Sequence, residues 1–516
     1  MITEDQTEII EFLASPAAHG AQAVDRIDTH TAIVFLVGTR AYKLKRAVRF
    51  DYLDFSTLER RRQFCEDELR LNRRTAPAIY RRVLPVTRER NGALALDGSG
   101  VAVEWLLEMH RFPQEALFDR LASAGKLDRA LMVPLADAIA SFHEAAKRRA
   151  DHGGKVGMSW VIEGNASGFA EFGDTSLDPA LCTRLIDDSR RELERHGSLL
   201  DLRREFGFVR HCHGDLHLRN IVLLDGRPTL FDGVEFNDEI SCIDVLYDLA
   251  FLLMDLWRRE LPHHVNTVWN RYLMHANNLG ATALLPLFLS CRAAVRAKTS
   301  ATAATLQSDP RRRDELEQAA RQYLAMAEDL LHPIAPTLIA VGGLSGSGKS
   351  TLALSLAPWV GAVPGAVVLR SDEIRKQLCG VAPVQRLGPT GYTREASARV
   401  YRTMAERARV LVNAGHTVIV DAVFASLEDR QTIQRLADDA WIPFVGFWLD
   451  APESMLIDRA AARLGDPSDA DAAVIRDQFT RETGIIEWRR LDASVPAERV
   501  LESARGYLGL ESHDQE

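Results

Sequence analysis

At 516 residues and a formal net charge of −9, the chain is too long for one ordinary core and too acidic for broad binding to nucleic acid or an anionic membrane. Its 46% hydrophobic and 26% charged residues are the proportions of a soluble globular protein, here expected to form two or three domains. The acidic start Met1-Ile2-Thr3-Glu4-Asp5 has no apolar core behind it, so no signal peptide is expected. No apolar run approaches membrane-spanning length; Val245–Trp257 is interrupted by Asp248 and Asp255. Six scattered cysteines without a C-x-x-C pair read as reduced thiols of a cytoplasmic protein.

Along the chain, residues 30–105 carry strand-like runs (Ala32–Val37, Arg40–Leu44, Val101–Leu106) around one charged helix, Ser56–Arg74. The pattern is helical from about 115 to 205, returns to short strands with tight turns over Cys212–Asp232, and is helical again to about 305. Asp314–Leu331 reads as an amphipathic helix with Leu316, Ala320, Tyr323, Ala327 and Leu330 on one face. His332-Pro333-Ile334-Ala335-Pro336 breaks it, because proline removes a donor and restricts the residue before it. The expected domains are therefore 1–305 and 337–516, joined by a helix and proline linker over 306–336. Beyond the linker, apolar strands (Leu338–Val341, Ala366–Leu369, Thr417–Val420, Phe444–Leu449) alternate with helices, the pattern of a doubly wound parallel sheet with helices on both faces.

The first of these strands runs into Gly343-Leu344-Ser345-Gly346-Ser347-Gly348-Lys349-Ser350, which satisfies every fixed position of the phosphate loop G-x-x-x-x-G-K-[ST]. Glycines let backbone N–H groups and a helix N-terminus converge on a polyphosphate. Lys349 is expected to neutralise the outer phosphates, Ser350 to hold Mg²⁺, and Thr351 to continue the site into the helix. An ordinary glycine-rich turn is the bland alternative; the strand before and helix after oppose it. Chemistry in open parallel sheets gathers at the carboxyl ends of strands. Two acids stand there: Asp372, after Val367-Val368-Leu369, and Asp421, ending Val418-Ile419-Val420. Asp372 either caps its helix or accepts the proton of an attacking hydroxyl, and its place after a phosphate loop favours the base; Asp421 suits the metal. Arg375, one turn on, could grip an acceptor. Arg459 and Arg463 precede Gly465-Asp466-Pro467 and suit a lid over the nucleotide's phosphates, or a solvated face.

Over about 337–516 the chain resembles the P-loop kinases (an AAA-type ATP-binding fold) that include zeta toxins, polynucleotide 5′-kinases, gluconate kinase and chloramphenicol phosphotransferase. The resemblance rests on the phosphate loop, Ser371-Asp372-x-x-Arg375, the Val418–Asp421 strand end and the arginines before the lid. It implies that Asp372 activates the acceptor hydroxyl and leaves the acceptor open.

The second strong phrase is His213-Gly214-Asp215-Leu216-His217-Leu218-Arg219-Asn220, with the Asp-to-Asn spacing of the protein-kinase catalytic loop. Ile221–Leu224, the turn Asp225-Gly226 and Thr229–Phe231 form a hairpin that brings Asp232 back beside Asn220. Those two suit Mg²⁺, leaving Asp215 to orient and deprotonate a hydroxyl. Zinc at His211, Cys212, His213 and His217 is disfavoured by crowding, and a purely structural hairpin is the other alternative. Such a loop calls for a lysine on an early strand, Lys43 or else Lys45, and a glutamate on the following helix, Glu68 or else Glu66, to hold the nucleotide.

With Ser141-Phe142-His143, Phe231-Asp232 and Asp244-Val245-Leu246-Tyr247-Asp248, this phrase makes residues 25–305 similar to the aminoglycoside phosphotransferase and choline kinase family. The resemblance implies a protein-kinase-like two-lobed fold, Asp215 as base, Asn220 and Asp232 as metal ligands, and Asp244 and Asp248 bracing the loop. No acidic lining for a cationic acceptor is evident; the stretch 291–298 is basic and favours an anionic acceptor. The expectation is an α/β and α+β chain using ATP and Mg²⁺ as a bifunctional kinase of small-molecule hydroxyls. A kinase of nucleic-acid 5′ ends in the C-terminal domain, or an ATP-gated regulator with one inactive site, are the alternatives.

Overall fold

The β-branched-rich run Ala32–Val37 pairs with its neighbour Arg40–Lys45, in which Tyr42 and Leu44 alternate with lysines, near the start of the chain. In the computed structural model, which describes residues 3–510 apart from 51, 276–278, 383–384, 463–467 and 481, they belong to a six-stranded antiparallel sheet. Its strands are β1 (Val24–Asp28), β2 (Ala32–Val37), β3 (Arg40–Lys45), β4 (Tyr80–Arg88), β5 (Leu94–Leu96) and β6 (Val101–His110), in the order β1-β2-β3-β6-β4-β5. Ile33, Phe35, Tyr42, Leu44, Leu84 and Leu106 form the core on one side. Helix α1 (Leu58–Asn72) packs against β4 and β6, its first turn capped by the Thr57 hydroxyl, which accepts the Arg60 N–H.

A helix-rich part follows, giving the two-lobed kinase-like arrangement that the sequence predicts. It carries the hairpin β7 (Ile221–Leu224) and β8 (Arg227–Leu230) and helix α2 (Val245–Arg258). Asp225 and Gly226 at the hairpin turn have φ of +48° and +73°, the left-handed pair that a two-residue turn between twisted strands requires.

The chain divides into two compact units, 1–255 with 291–324 and 256–290 with 325–516. The second is built on a five-stranded, fully parallel sheet: β9 (Leu338–Gly343), β10 (Val367–Arg370), β11 (Val418–Asp421), β12 (Phe444–Asp450) and β13 (Arg489–Asp492), ordered β10-β11-β9-β12-β13. Every residue of the central strand β9 is buried, as expected of a sheet covered on both faces. Helix α3 (Pro262–His275) covers the edge strand β10. Asn270 accepts the Val368 N–H at 2.7 Å and donates to the Ala366 carbonyl, while Asn266 donates to the carbonyls of Pro364 and Ala366. Side-chain amides thus satisfy backbone groups that a further strand would otherwise take. Residues 256–290 therefore pack with the second unit although they precede the proline segment in sequence.

One helical stretch, Leu279–Thr305, is long and apolar enough by length and composition to cross a membrane, contrary to the sequence expectation that no run approaches that length. Glycine, proline, serine and threonine together with Arg292, Arg296 and Lys298 hold down its hydropathy, and 67% of its most apolar window is buried inside the protein. All six cysteines are free thiols.

Gly446 on β12 makes room for Trp488: a Cβ there would sit 2.3 Å from the ring's Cγ. Gly446→Ala is expected to cost about 1–3 kcal/mol through overpacking. The check is a lowered denaturant midpoint of the second unit, followed by tryptophan fluorescence.

Candidate active sites

Side chains alternate along a strand, so Lys43 and Lys45 of β3 project from one face. There Lys43 Nζ lies 2.8 Å from Glu68 Oε1 and 2.6 Å from Asp232 Oδ1. Lys45 Nζ lies 2.7 Å from Glu68 Oε2 and also pairs with Glu235. Both lysines that the sequence offers as alternatives therefore engage Glu68, which is fully buried. Glu66 instead pairs with Arg62 on the surface. Burial opposes ionisation of Glu68, but the two ammonium groups outweigh it and hold the carboxyl below its ordinary range. Burial likewise disfavours the Lys43 ammonium, and Asp232 and Glu68 more than reverse it. Burial and the nearby Glu68 charge push Glu235 upward against the pull of Lys45.

The Phe231 N–H donates to the Asn220 carbonyl at 3.0 Å, which closes the hairpin with Asp232 next to Asn220. Asp232 sits at φ +60°, and its N–H donates to the Tyr80 hydroxyl at 3.0 Å. Asn220 donates its amide N–H to Asp215 Oδ2 at 2.9 Å, and His217 Nε2 stands 3.2 Å from the same oxygen. His217 Nδ1 accepts the Arg219 N–H, so the imidazole proton lies on Nε2 and points at Asp215. Burial raises Asp215, yet His217, Arg296 and His213 outweigh it and keep this half-buried carboxylate well below the usual range. The loop is braced by Asp248, which accepts the N–H groups of His213 and Gly214 at 3.0 and 2.9 Å and pairs with His143. Asp244 does not reach the loop; Arg203 holds it through two bonds of 2.6 and 2.7 Å. Asp255 supplies a further brace by accepting the Leu218 N–H.

Lys45 as a second Glu68 partner, Glu235, His217 and Asp255 escape the sequence reading. Glu235 lies three residues past Asp232 and His217 two past Asp215, which is the signal that could have found them. The Asp232 carboxylate and Asn220 amide oxygen are hard donors suited to Mg²⁺.

In the second unit β9 ends in the phosphate loop. Gly343, Gly346 and Gly348 have φ of +138°, +90° and +89°, and a Cβ on Gly346 would meet the Leu456 carbonyl oxygen at 2.5 Å. Helix α5 (Lys349–Leu356) starts at once, aiming its N-terminus into the bend. Lys349 Nζ donates back to the Leu344 carbonyl at 2.9 Å, and Ser350 Oγ donates to Asp421 Oδ2 at 2.5 Å. Ser347 is buried and Thr351 exposed. The Ser345 N–H donates to Gln478, on helix α7 (Ala472–Thr480), whose amide returns a bond to Ser345 Oγ.

Asp372 lies within the first turn of α6 (Ser371–Leu378), whose cap residue is Arg370. Burial and the Asp421 charge raise it, against the pull of Lys349 and Arg375. Arg375 itself is buried; it donates to the Gly391 carbonyl at 2.8 Å and lies over the Tyr392 ring, so its guanidinium holds a loop. Arg459 donates to the Ala493 carbonyl just past β13. Arg463 and the residues 464–467 lie outside the described residues.

Residues 338–482 match the family model described as an AAA domain. Over 491 residues the chain is 30% identical to "Uncharacterized protein Rv2004c" of Mycobacterium tuberculosis (strain ATCC 25618 / H37Rv), covering 92% of this chain and 93% of that one. The chain belongs to that protein's family. It is also 32% identical over 169 residues to the adenylyl-sulfate kinase of Myxococcus xanthus (strain DK1622), across 29% of this chain and 86% of the relative. Among solved structures, a choline/ethanolamine kinase family protein from Mesorhizobium loti is similar at 13% identity and a TM-score of 0.40, covering 63% of this chain and 94% of that one. The chain is an ATP-dependent kinase.

The two candidate bases are shifted in opposite directions, and their pH dependence should separate. With Lys349→Ala silencing the P-loop site, activity should persist as pH falls through the ordinary carboxylate range, because Asp215 stays ionised. With Asp215→Ala, the remaining activity should fall at higher pH, because Asp372 takes up its proton sooner. Superposed acid limbs in the two pH–rate profiles would contradict this.

Proposed function

We propose that the chain is bifunctional, each site transferring the γ-phosphoryl group of Mg²⁺-ATP to a hydroxyl of a small molecule. One observation carries this reading: each site has a separate carboxylate close to oxygen donors suited to a metal. Asp215 is bonded by Asn220, whose neighbour across the hairpin, Asp232, pairs with Lys43, and Asp372 feels the charges of Lys349 and of Asp421, which Ser350 meets. In the first site Asn220 and Asp232 would hold Mg²⁺, and Lys43 would contact the phosphates. Asp215 would take the acceptor's proton as its oxygen attacks the γ-phosphorus and the bond to ADP breaks. In the second, the loop N–H groups and Lys349 would cradle the phosphates, Ser350 and Asp421 would hold Mg²⁺, and Asp372 would take the proton. Mg²⁺ would supply charge neutralisation between the outer phosphates. The likeness of the P-loop unit to an adenylyl-sulfate kinase makes adenylyl sulfate the first acceptor to offer it. The free thiols suit a reducing cytoplasm.

The test is transfer of labelled phosphate from ATP to adenylyl sulfate and to fractions of a metabolite extract. Asp215→Ala should remove one set of products by about 10²–10⁴-fold, as for loss of a general base, and Lys349→Ala should remove a different set. Transfer that survives both substitutions would sink the reading.

A further inference from the structure

Helix α4 (Leu285–Thr305) carries three basic side chains, Arg292, Arg296 and Lys298, with three different fates. Arg292 is buried under the catalytic loop. It donates to the carbonyls of Gly214 and Tyr247 at 3.3 and 3.1 Å, and lies on the Tyr247 and Phe251 rings at 3.8 and 4.7 Å. Lys298 turns the other way and donates to the Gly164 carbonyl at 3.1 Å. Arg296 follows Arg292 by one helical turn on the same face, and so projects towards the loop whose Gly214 Arg292 already touches. The Tyr323 ring holds its guanidinium at 5.6 Å. Among the described residues no carboxylate forms an ion pair with it, although its charge helps to keep Asp215 ionised.

A half-exposed guanidinium fixed on an aromatic ring, without an acid partner, is a ready fork for an anion. It lies one helical turn from Arg292, which touches Gly214 next to Asp215, so its charge faces the acceptor side of the loop and disfavours a cationic acceptor. Building on the phosphotransfer reading of this site, we propose that its acceptor is an alcohol bearing an anionic group, carboxylate or phosphate, gripped by Arg296 beside Asp215. Arg296 is then a specificity-determining residue for the acceptor and not a nucleotide ligand.

The test uses the full-length protein carrying Lys349→Ala, so that turnover belongs to the Asp215 site. A metabolite extract is split on a strong anion exchanger into flow-through and retained fractions, and each is assayed for ADP release with Mg²⁺-ATP. Acceptor activity is expected in the retained fractions. Adding Arg296→Met should raise the apparent KM for the active fraction by about tenfold or more, equivalent to about 1.4 kcal/mol. The KM for ATP should stay unchanged, and Arg296→Lys should recover part of the loss even if the methionine variant folds poorly. Activity confined to the flow-through would overturn the proposal, as would a rise in KM for ATP with none for the acceptor. Failure of every fraction with Asp215 intact is a different result: it would overturn the phosphotransfer reading of this site and this proposal with it.

Discussion

Glu68, buried between two ammonium groups, is the contact on which the N-terminal site depends. A carboxylate taken out of water alone costs several kcal/mol, and here Lys43 sits on one oxygen and Lys45 on the other. That arrangement fixes α1 against β3, and through Lys43 it fixes Asp232 at the end of the catalytic hairpin. Loss of both lysines would leave an uncompensated buried charge, a cost of about 3–5 kcal/mol. Lys45 also reaches Glu235, so the segment after Asp232 is tied to the sheet twice. The result is a rigid oxygen-lined face built from residues nearly 200 positions apart.

The P-loop unit reaches a similar end by backbone geometry. Its donors are main-chain N–H groups arranged by three glycines in the left-handed region and by the start of α5. Ser350 and Asp421 meet because β9 and β11 are adjacent and parallel, ending side by side. The two candidate bases differ as their surroundings do. Asp215 is flanked by histidines and an arginine, whereas Asp372 is flanked by a second carboxylate.

Much of this was legible in the sequence for identifiable reasons. The phosphate loop is readable because each glycine answers a backbone requirement, such as the close approach of Gly346 to Leu456. The nearness of Asn220 and Asp232 is readable because Asp225-Gly226 permits only a tight turn. Long-range partners are not. Local spacing names Lys43 and Glu68 but cannot show that Lys45 shares Glu68 or that Glu235 returns to it. Arg375 sits in the right turn of its helix, yet the fold of the 385–392 loop sends its guanidinium to Gly391. Periodicity shows that Pro262–His275 is a helix; the amides of Asn266 and Asn270 on the rim of the parallel sheet give no sequence signal. Strand β13 is short and largely polar, which hides it from a search for apolar runs.

The account rests on two nucleotide sites of unrelated construction in one chain. Equilibrium dialysis of ATP with Mg²⁺ measures that directly. The expected result is two ATP bound per chain, falling to one in Lys43→Met and to one in Lys349→Ala. A single ATP per wild-type chain, lost altogether in either variant, would contradict it.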